Sequence, residues 1–346
     1  MASAAAVGSI DRNSHFVELD GMRGVLATLV MMMHYGMDRV ISQVTQGLVT
    51  RGAWELSVDF FFVLSGFVLA RSFARSHPTG VRYFARRVLR LGPMFLLTMF
   101  AALALGPSAD PVTVVANMMM LQSIIGLRSI NFPSWSIPFE LFFPWIWLML
   151  STRWDRWTKG ATFALGALCL LGAMGGAFLL AKGHDLRALR ALCGLGLGFM
   201  LFRLTRGYLA SVGERPIAIM VGFAGILLIM LLGMRMPLVT LAFPPLVVVT
   251  ILVGTGTKGL MSTAPIRMLG RISYSIYLVH IPVLLLAQRL FGAAVVGHSA
   301  PFKLALCCTS IAVAWLCNRL IEMPLAELAV AGARLPKRVA IGGDAA

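Results

Sequence analysis

Ten apolar runs, at 22–41, 54–72, 91–106, 135–151, 160–181, 191–203, 216–233, 237–254, 272–291 and 301–321, are each bounded by charges, Gly or Pro. Runs of about twenty such residues match the apolar thickness of a bilayer when helical. A backbone in lipid must also satisfy its own hydrogen bonds, which leaves helices or closed barrels. The sequence therefore predicts an all-α fold, a polytopic integral membrane helical bundle of about ten transmembrane helices. Composition agrees, since 58% of the 346 residues are hydrophobic and only 13% are charged, more apolar surface than a soluble domain could bury. The run 191–203 is short for a bilayer, so its helix is expected to extend further or to lie where the membrane is thinned.

A net charge of +16 would suggest nucleic acid as a partner for a soluble chain, but here it reports orientation. With the N-terminus inside, 21 of the 30 Lys and Arg residues fall on inner segments or helix ends and nine on outer ones. That split predicts two cytoplasmic termini and no nucleic-acid role. A crossing at 112–125 would invert every later loop and expose the Arg153, Arg156 and Lys159 cluster outside. Residues 107–134 are therefore read as the one long outer loop, with an amphipathic or re-entrant piece packed in protein, where recognition tends to reside. The expected organisation is a cytoplasmic N-terminal segment at 1–21, a membrane domain at 22–325 and a basic cytoplasmic tail at 326–346. The first twenty residues lack an apolar stretch followed by a small-residue cleavage site, so the first helix is expected to be retained. The five cysteines (Cys169, Cys193, Cys307, Cys308, Cys317) fall in apolar runs without ligand spacing and read as packing residues, with no metal site expected.

The first run carries Arg23 and His34. Eleven helical steps come to roughly 1100°, about 20° past three full turns, so the two side chains share one face about 16 Å apart. A buried ionisable group in a membrane helix is expensive and should face the bundle interior. A lone buried His can simply bond a neighbouring helix, yet a neutral imidazole held there can also act as a general base. Asp59 lies about 8 Å inside the second run, in the same third of the bilayer, and could cap that helix or orient His34. Ser65 and Gly66 form a small pair suited to close packing or to admitting a ligand. Arg87 and Arg90 are neighbours on a helix face and suit either topology or a phosphate-bearing ligand. Glu140, opening the fourth run after Trp135 and Ser136, needs a partner such as His34. Trp135 could also be an interfacial anchor. Tyr274, Tyr277 and His280 precede Pro282, which frees a backbone carbonyl. Asn318 and Glu322 complete the polar set, and Glu322-Met323-Pro324 could simply end the last helix.

Together these residues resemble the membrane-bound acyltransferase-3 family. The resemblance rests on Leu-Asp-Gly followed by Arg23 and His34, and on Asp59-Phe60-Phe61 with Ser65-Gly66-Phe67. It continues through Arg87 and Arg90; Trp135, Ser136 and Glu140; Ser273-Tyr274 with Tyr277, His280 and Pro282; and a closing Glu322 with Pro324. Each motif is weak alone, and their order over nearly the whole chain is specific. The chain resembles the stand-alone type, without the SGNH-type domain of larger members.

The resemblance implies an O-acyltransferase of the bacterial cytoplasmic (inner) membrane. It would move an acyl group, most simply acetyl, from cytosolic acyl-CoA as co-substrate to a hydroxyl of a cell-surface, exported or lipid-linked glycan, with membrane lipid as its surroundings. A small secondary metabolite such as a macrolide is an alternative acceptor, and a transporter or flippase is the rival class. The expected roles are His34 as base or acyl carrier aided by Asp59 or Glu140, and Arg23, Arg71, Arg87 and Arg90 as donor-binding residues. Ser65, Trp135, Ser136, Tyr274, Tyr277 and His280 would line the acceptor site or channel.

Overall fold

The computed structural model describes residues 17–44, 46, 56–76, 78–151, 153, 156–205, 240–244, 263–293 and 299–325. Their regular structure is entirely helical. In chain order the elements are α1 (Val17–His34), α2 (Met37–Val44), α3 (Ser57–Ser76), α4 (Gly80–Leu105) and α5 (Pro111–Met118). After a short 3-10 turn at Phe132–Ser136 come α6 (Ile137–Ser151), α7 (Lys159–Ala181), α8 (Arg187–Thr205), α9 (Ala264–Arg271), α10 (Ser273–Phe291) and α11 (Ala300–Cys317). Among the described residues six helices are long and apolar enough to cross a membrane: α3, α4, α7, α8, α10, and α11 with its continuation to Leu325. The expected runs at 216–233 and 237–254 lie almost wholly outside the described residues, as do the segments 1–16 and 326–346.

Local chemistry explains where several elements begin and end. Thr79, Thr158 and Ser299 cap α4, α7 and α11 by accepting from Arg82, Ala161 and Phe302 backbone N–H groups. Asp110 caps α5 in the same way, with Pro111 at its first position, so the 107–134 segment holds a helix of its own. Hydrogen bonding from the Thr113 side chain, and then from its backbone N–H, holds the Asp110 carboxyl below its ordinary range. The run 91–106 starts earlier than its apolar pattern suggested, at Gly80, which makes Arg82, Arg86, Arg87 and Arg90 helical. The run 191–203 does extend, to Arg187–Thr205. The run 22–41 is broken: α1 stops at His34 and a turn with Gly36 at φ 71° leads to α2. That left-handed conformation suits glycine, and the Lys303 ammonium donates to the Gly36 carbonyl at 3.2 Å.

Glycines set the closest crossings. A Cβ on Gly66 of α3 would strike the Leu195 carbonyl of α8, and one on Gly198 of α8 would strike the Val63 carbonyl of α3. Gly24 of α1 and Gly270 of α9 meet backbone to backbone in the same way. Small residues let membrane helices approach and gain dispersion contacts where no hydrophobic drive separates helix from lipid. Phe60, Phe62 and Phe67 of α3 and Phe199 of α8 fill the core beside the α3–α8 crossing. A second apolar cluster joins Met31 and Tyr35 to Ile276, Leu306 and Cys307. This places α10 against α1, α4 and α11. All five cysteines are free thiols.

Candidate active site

His34 is the last residue of α1, and its ring faces the bundle. Its Nδ1 lies 2.9 Å from the Val30 carbonyl and 3.1 Å from Nε2 of His280. The two rings are 5.0 Å apart between centroids and tilted by 30°. His280 is fully buried, and its Nδ1 lies 3.1 Å from the Ile276 carbonyl. Phe132, from the long loop, sets its edge against the His34 ring at 5.7 Å. The Tyr35 hydroxyl donates to the His280 carbonyl at 2.8 Å and pairs with Ser310 Oγ at 2.5 Å.

Prolines supply the attachment points. Pro282 has no N–H for the Leu278 carbonyl, and Asn131 Nδ2 donates to that oxygen at 2.9 Å. Pro144 likewise frees the Glu140 carbonyl, and Arg87 Nε donates to it at 3.3 Å. Each proline thus converts a helix carbonyl into a docking point for a side chain from another element, and one of the two fixes the long loop beside the histidines.

The carboxylates expected around His34 are engaged elsewhere. Asp59 accepts two bonds from Arg190, at 2.9 and 2.7 Å, and Arg190 also donates to Asp185 at 2.8 Å. The guanidinium groups of Arg187 and Arg190 lie 5.3 and 5.6 Å from the Trp135 ring. Trp135 is therefore a buried stacking platform, not an interfacial anchor. Glu140 instead faces Arg87, with Nη2 to Oε2 at 3.5 Å. The physical reason is the path of the chain ahead of α6. Ser134, Trp135 and Ser136 are already buried, so the loop has descended into the bundle before the helix starts. Glu140 consequently shares a cavity with Arg23, eleven residues along α1 from His34.

That cavity is partly open, holds about 30 Å³ of room for water-sized molecules and is lined by Arg23, Ser65, Ser136, Glu140, Ser273, Tyr274 and Tyr277, with Val58, Phe61 and Ile137. Arg23 lies 3.9 Å from Asp20 through Nη1, while its buried Nε has no hydrogen-bond partner. Tyr277 donates to the Pro133 carbonyl at 2.6 Å, meets Ser136 Oγ at 3.2 Å, and sets its ring 6.3 Å from His280. Tyr274 donates to the Leu91 carbonyl at 2.7 Å. His34 does not line this cavity; Tyr277 does, and its ring connects the lining to the histidine pair through His280.

Arg90 lies in the first half of α4, within the field of Arg23 and Arg87 as like charges and of Glu322 and Glu140 as opposite ones. With Asp20 beside Arg23, three carboxylates match the three arginines in number, so an anion entering here has to compete with them for the guanidinium groups. Arg71 is buried in α3. Glu322 does more than end a helix: it accepts from Ser275 at 2.8 Å and Asn318 at 2.9 Å, within a π-helical turn at Asn318–Glu322. Among the described residues no three His, Cys, Asp or Glu side chains converge as a metal ion would require. Sequence reasoning missed Arg190, which counted only as an outer charge, although Asp185, Arg187 and Arg190 at a helix start carried a readable signal. It also missed Tyr35, Phe132 and Asn131, whose roles depend on tertiary contacts.

An all-helical membrane chain with two imidazoles in contact, and with arginines and carboxylates buried beside a polar cavity, has the makings of a membrane enzyme. The acyltransferase-domain family model, that of the acyltransferase-3 family, matches residues 16–319, and the chain belongs to this family. It is similar to a protein named as a membrane-bound transacylase, BcsY, of Komagataeibacter xylinus, at 29% identity over 326 residues, covering 84% of this chain and 78% of that protein. It is also similar to the acyltransferase MdmB of Streptomyces mycarofaciens, at 25% identity over 362 residues, covering 90% and 91%. No solved structure matches the chain.

Proposed function

We propose that this protein is a membrane O-acyltransferase that takes an acyl group, most simply acetyl, from cytosolic acyl-CoA and passes it to a hydroxyl of an exported or cell-surface glycan. The observation that carries the reading is the His34–His280 contact at the end of α1, covered by the long loop and one tyrosine away from a polar cavity. Both termini are cytoplasmic in this reading, so Arg90 and Arg87 sit at the inner face, where the CoA phosphates arrive. Arg23, Ser65, Ser136 and Tyr274 then supply donors and acceptors for the amide-bearing arm of the thioester.

In the transfer, His34 takes the proton of the acceptor hydroxyl as the hydroxyl oxygen attacks the thioester carbonyl. The carbon–sulfur bond breaks, and the leaving thiolate takes up the proton that His34 holds, giving CoA thiol and an acyl ester. Tyr277, which lines the cavity and stands beside His280, would guide the thioester toward His34. The negative end of the α1 dipole favours the imidazolium that forms. Asp59 and Glu140 contribute through Arg190 and Arg87.

Purified protein in detergent, given acyl-labelled acetyl-CoA and cell-envelope glycans, should move the label to glycan, whereas a transporter leaves it on CoA. His34→Ala should lower transfer by about a thousandfold with membrane abundance unchanged, as for loss of a base acting with positioned groups. Near wild-type product from that variant rules the scheme out.

A further inference from the structure

We propose that His280 is a positioning residue for this reaction: its Nε2 accepts the Nδ1–H of His34 together with the Val30 carbonyl, and so holds the ring in the orientation that presents the lone pair on Nε2. The inference rests on the reading of His34 as the base and adds the means by which that base is prepared.

Three contacts decide the protons. The Val30 and Ile276 carbonyl oxygens can only accept, so Nδ1 of His34 and Nδ1 of His280 must each carry hydrogen. A neutral His280 with hydrogen on Nδ1 then has a bare Nε2, which lies 3.1 Å from His34 Nδ1. One N–H of His34 is therefore shared between Val30 O at 2.9 Å and His280 Nε2, a three-centre bond of the kind common at helix ends. Any other neutral arrangement sets two lone pairs against each other in at least one of the three contacts. A doubly protonated His280 would place a charge on a fully buried ring.

His280 is itself held in place. Its backbone carbonyl is bonded by Tyr35, which also pairs with Ser310, and the carbonyl of Leu278 is bonded by Asn131. In the histidine triads of hydrolases the acceptor behind the base is a carboxylate. Here the two candidate carboxylates are bound to arginines, and a second imidazole occupies that position. A neutral acceptor orients the base without adding charge to the apolar pocket.

The test uses full-length protein in detergent micelles with nitrogen-15 histidine. Nitrogen shifts assign the tautomer, and the loss of one signal set in His34→Gln assigns His34. Wild-type protein should show His34 with hydrogen on Nδ1. His280→Gln offers an amide oxygen in place of Nε2 and should keep that tautomer and most of the acetyl-transfer rate. His280→Leu leaves only the Val30 carbonyl as acceptor: the tautomer should persist, but the ring loses its second anchor and kcat should fall ten- to hundredfold with donor KM unchanged, the size of effect seen when an orienting partner is lost from a metal-bound His. Hydrogen on Nε2 of His34 in the wild type, a His280→Leu enzyme with unchanged kcat, or a His280→Gln enzyme no faster than His280→Leu overturns the proposal. Wild-type protein that moves no label overturns the function itself and with it the catalytic half of the inference, while the nitrogen shifts still decide the pairing.

Discussion

Asp59 and Glu140 each meet an arginine inside the bundle, but the two pairs are built differently. Asp59 and Arg190 are only 6% and 4% exposed in their side chains, joined by two short bonds, extended by Asp185 and stacked on Trp135. Glu140 and Arg87 are 16% and 12% exposed and joined by one long contact of 3.5 Å beside the cavity. A closed, saturated pair has little left to offer a substrate, because each oxygen and most N–H groups are already committed. The loosely joined pair keeps hydrogen-bonding capacity and can rearrange around a ligand. The contrast assigns Asp59 to holding α3 against α8 and Glu140 to the donor end of the site.

The largest effect should come from opening the closed pair. Arg190→Met alone leaves a carboxylate buried without its counter-charge and should cost about 3–5 kcal/mol of stability, read as a lower melting temperature in detergent. Removing both charges with Asp59→Leu and Arg190→Met should recover most of that loss, since a buried ion pair is often replaceable by apolar packing. An Arg190→Met protein that melts like wild type would break the distinction between the pairs.

A middle-sized effect should follow from the proline-freed carbonyl on α10. Asn131→Leu keeps the shape but leaves the buried Leu278 oxygen without its donor, which should cost about 1–3 kcal/mol. It should also lower transfer, because the long loop then loses its anchor next to His280. Asn131→Gln should not restore the bond, as its amide lies one methylene further out. Equal melting of Asn131→Leu and wild type would show that this anchor contributes nothing.

Much of this division was legible in the sequence and some was not, for physical reasons. Apolar runs and their flanking charges identified the helical membrane class, because lipid constrains composition over whole helices. Gly66 could be read as a close-packing residue, and Gly66 and Gly198 do meet opposing backbone. His34, Glu140, Arg87 and Tyr277 stood out because ionisable or hydrogen-bonding groups in apolar runs need a reason. Which group meets which was not legible. The descent of 132–136 into the bundle, which carries Glu140 away from His34, comes from packing with α10 and leaves no periodic trace. The stop of α1 at His34 follows from one glycine in a run that otherwise reads as continuous, so the helix was expected to reach 41.

The smallest stability effect, and the sharpest use of the comparison, belongs to Glu140→Gln. The amide can still accept from Arg87, the contact is already long, and the backbone bond from Arg87 Nε to the Glu140 carbonyl is untouched, so the loss should stay under about 1 kcal/mol. Removing one negative charge near Arg23, Arg87 and Arg90 raises the local positive field, which should tighten binding of a phosphate-bearing donor. Arg87→Ala should do the reverse and raise the apparent donor KM about tenfold, with kcat changed less. Opposite shifts in donor KM for the two variants, steeper at low salt, would tie the loosely joined pair to donor binding. Shifts in the same direction would mean that Arg87 and Glu140 act only through packing, like the pair at Asp59.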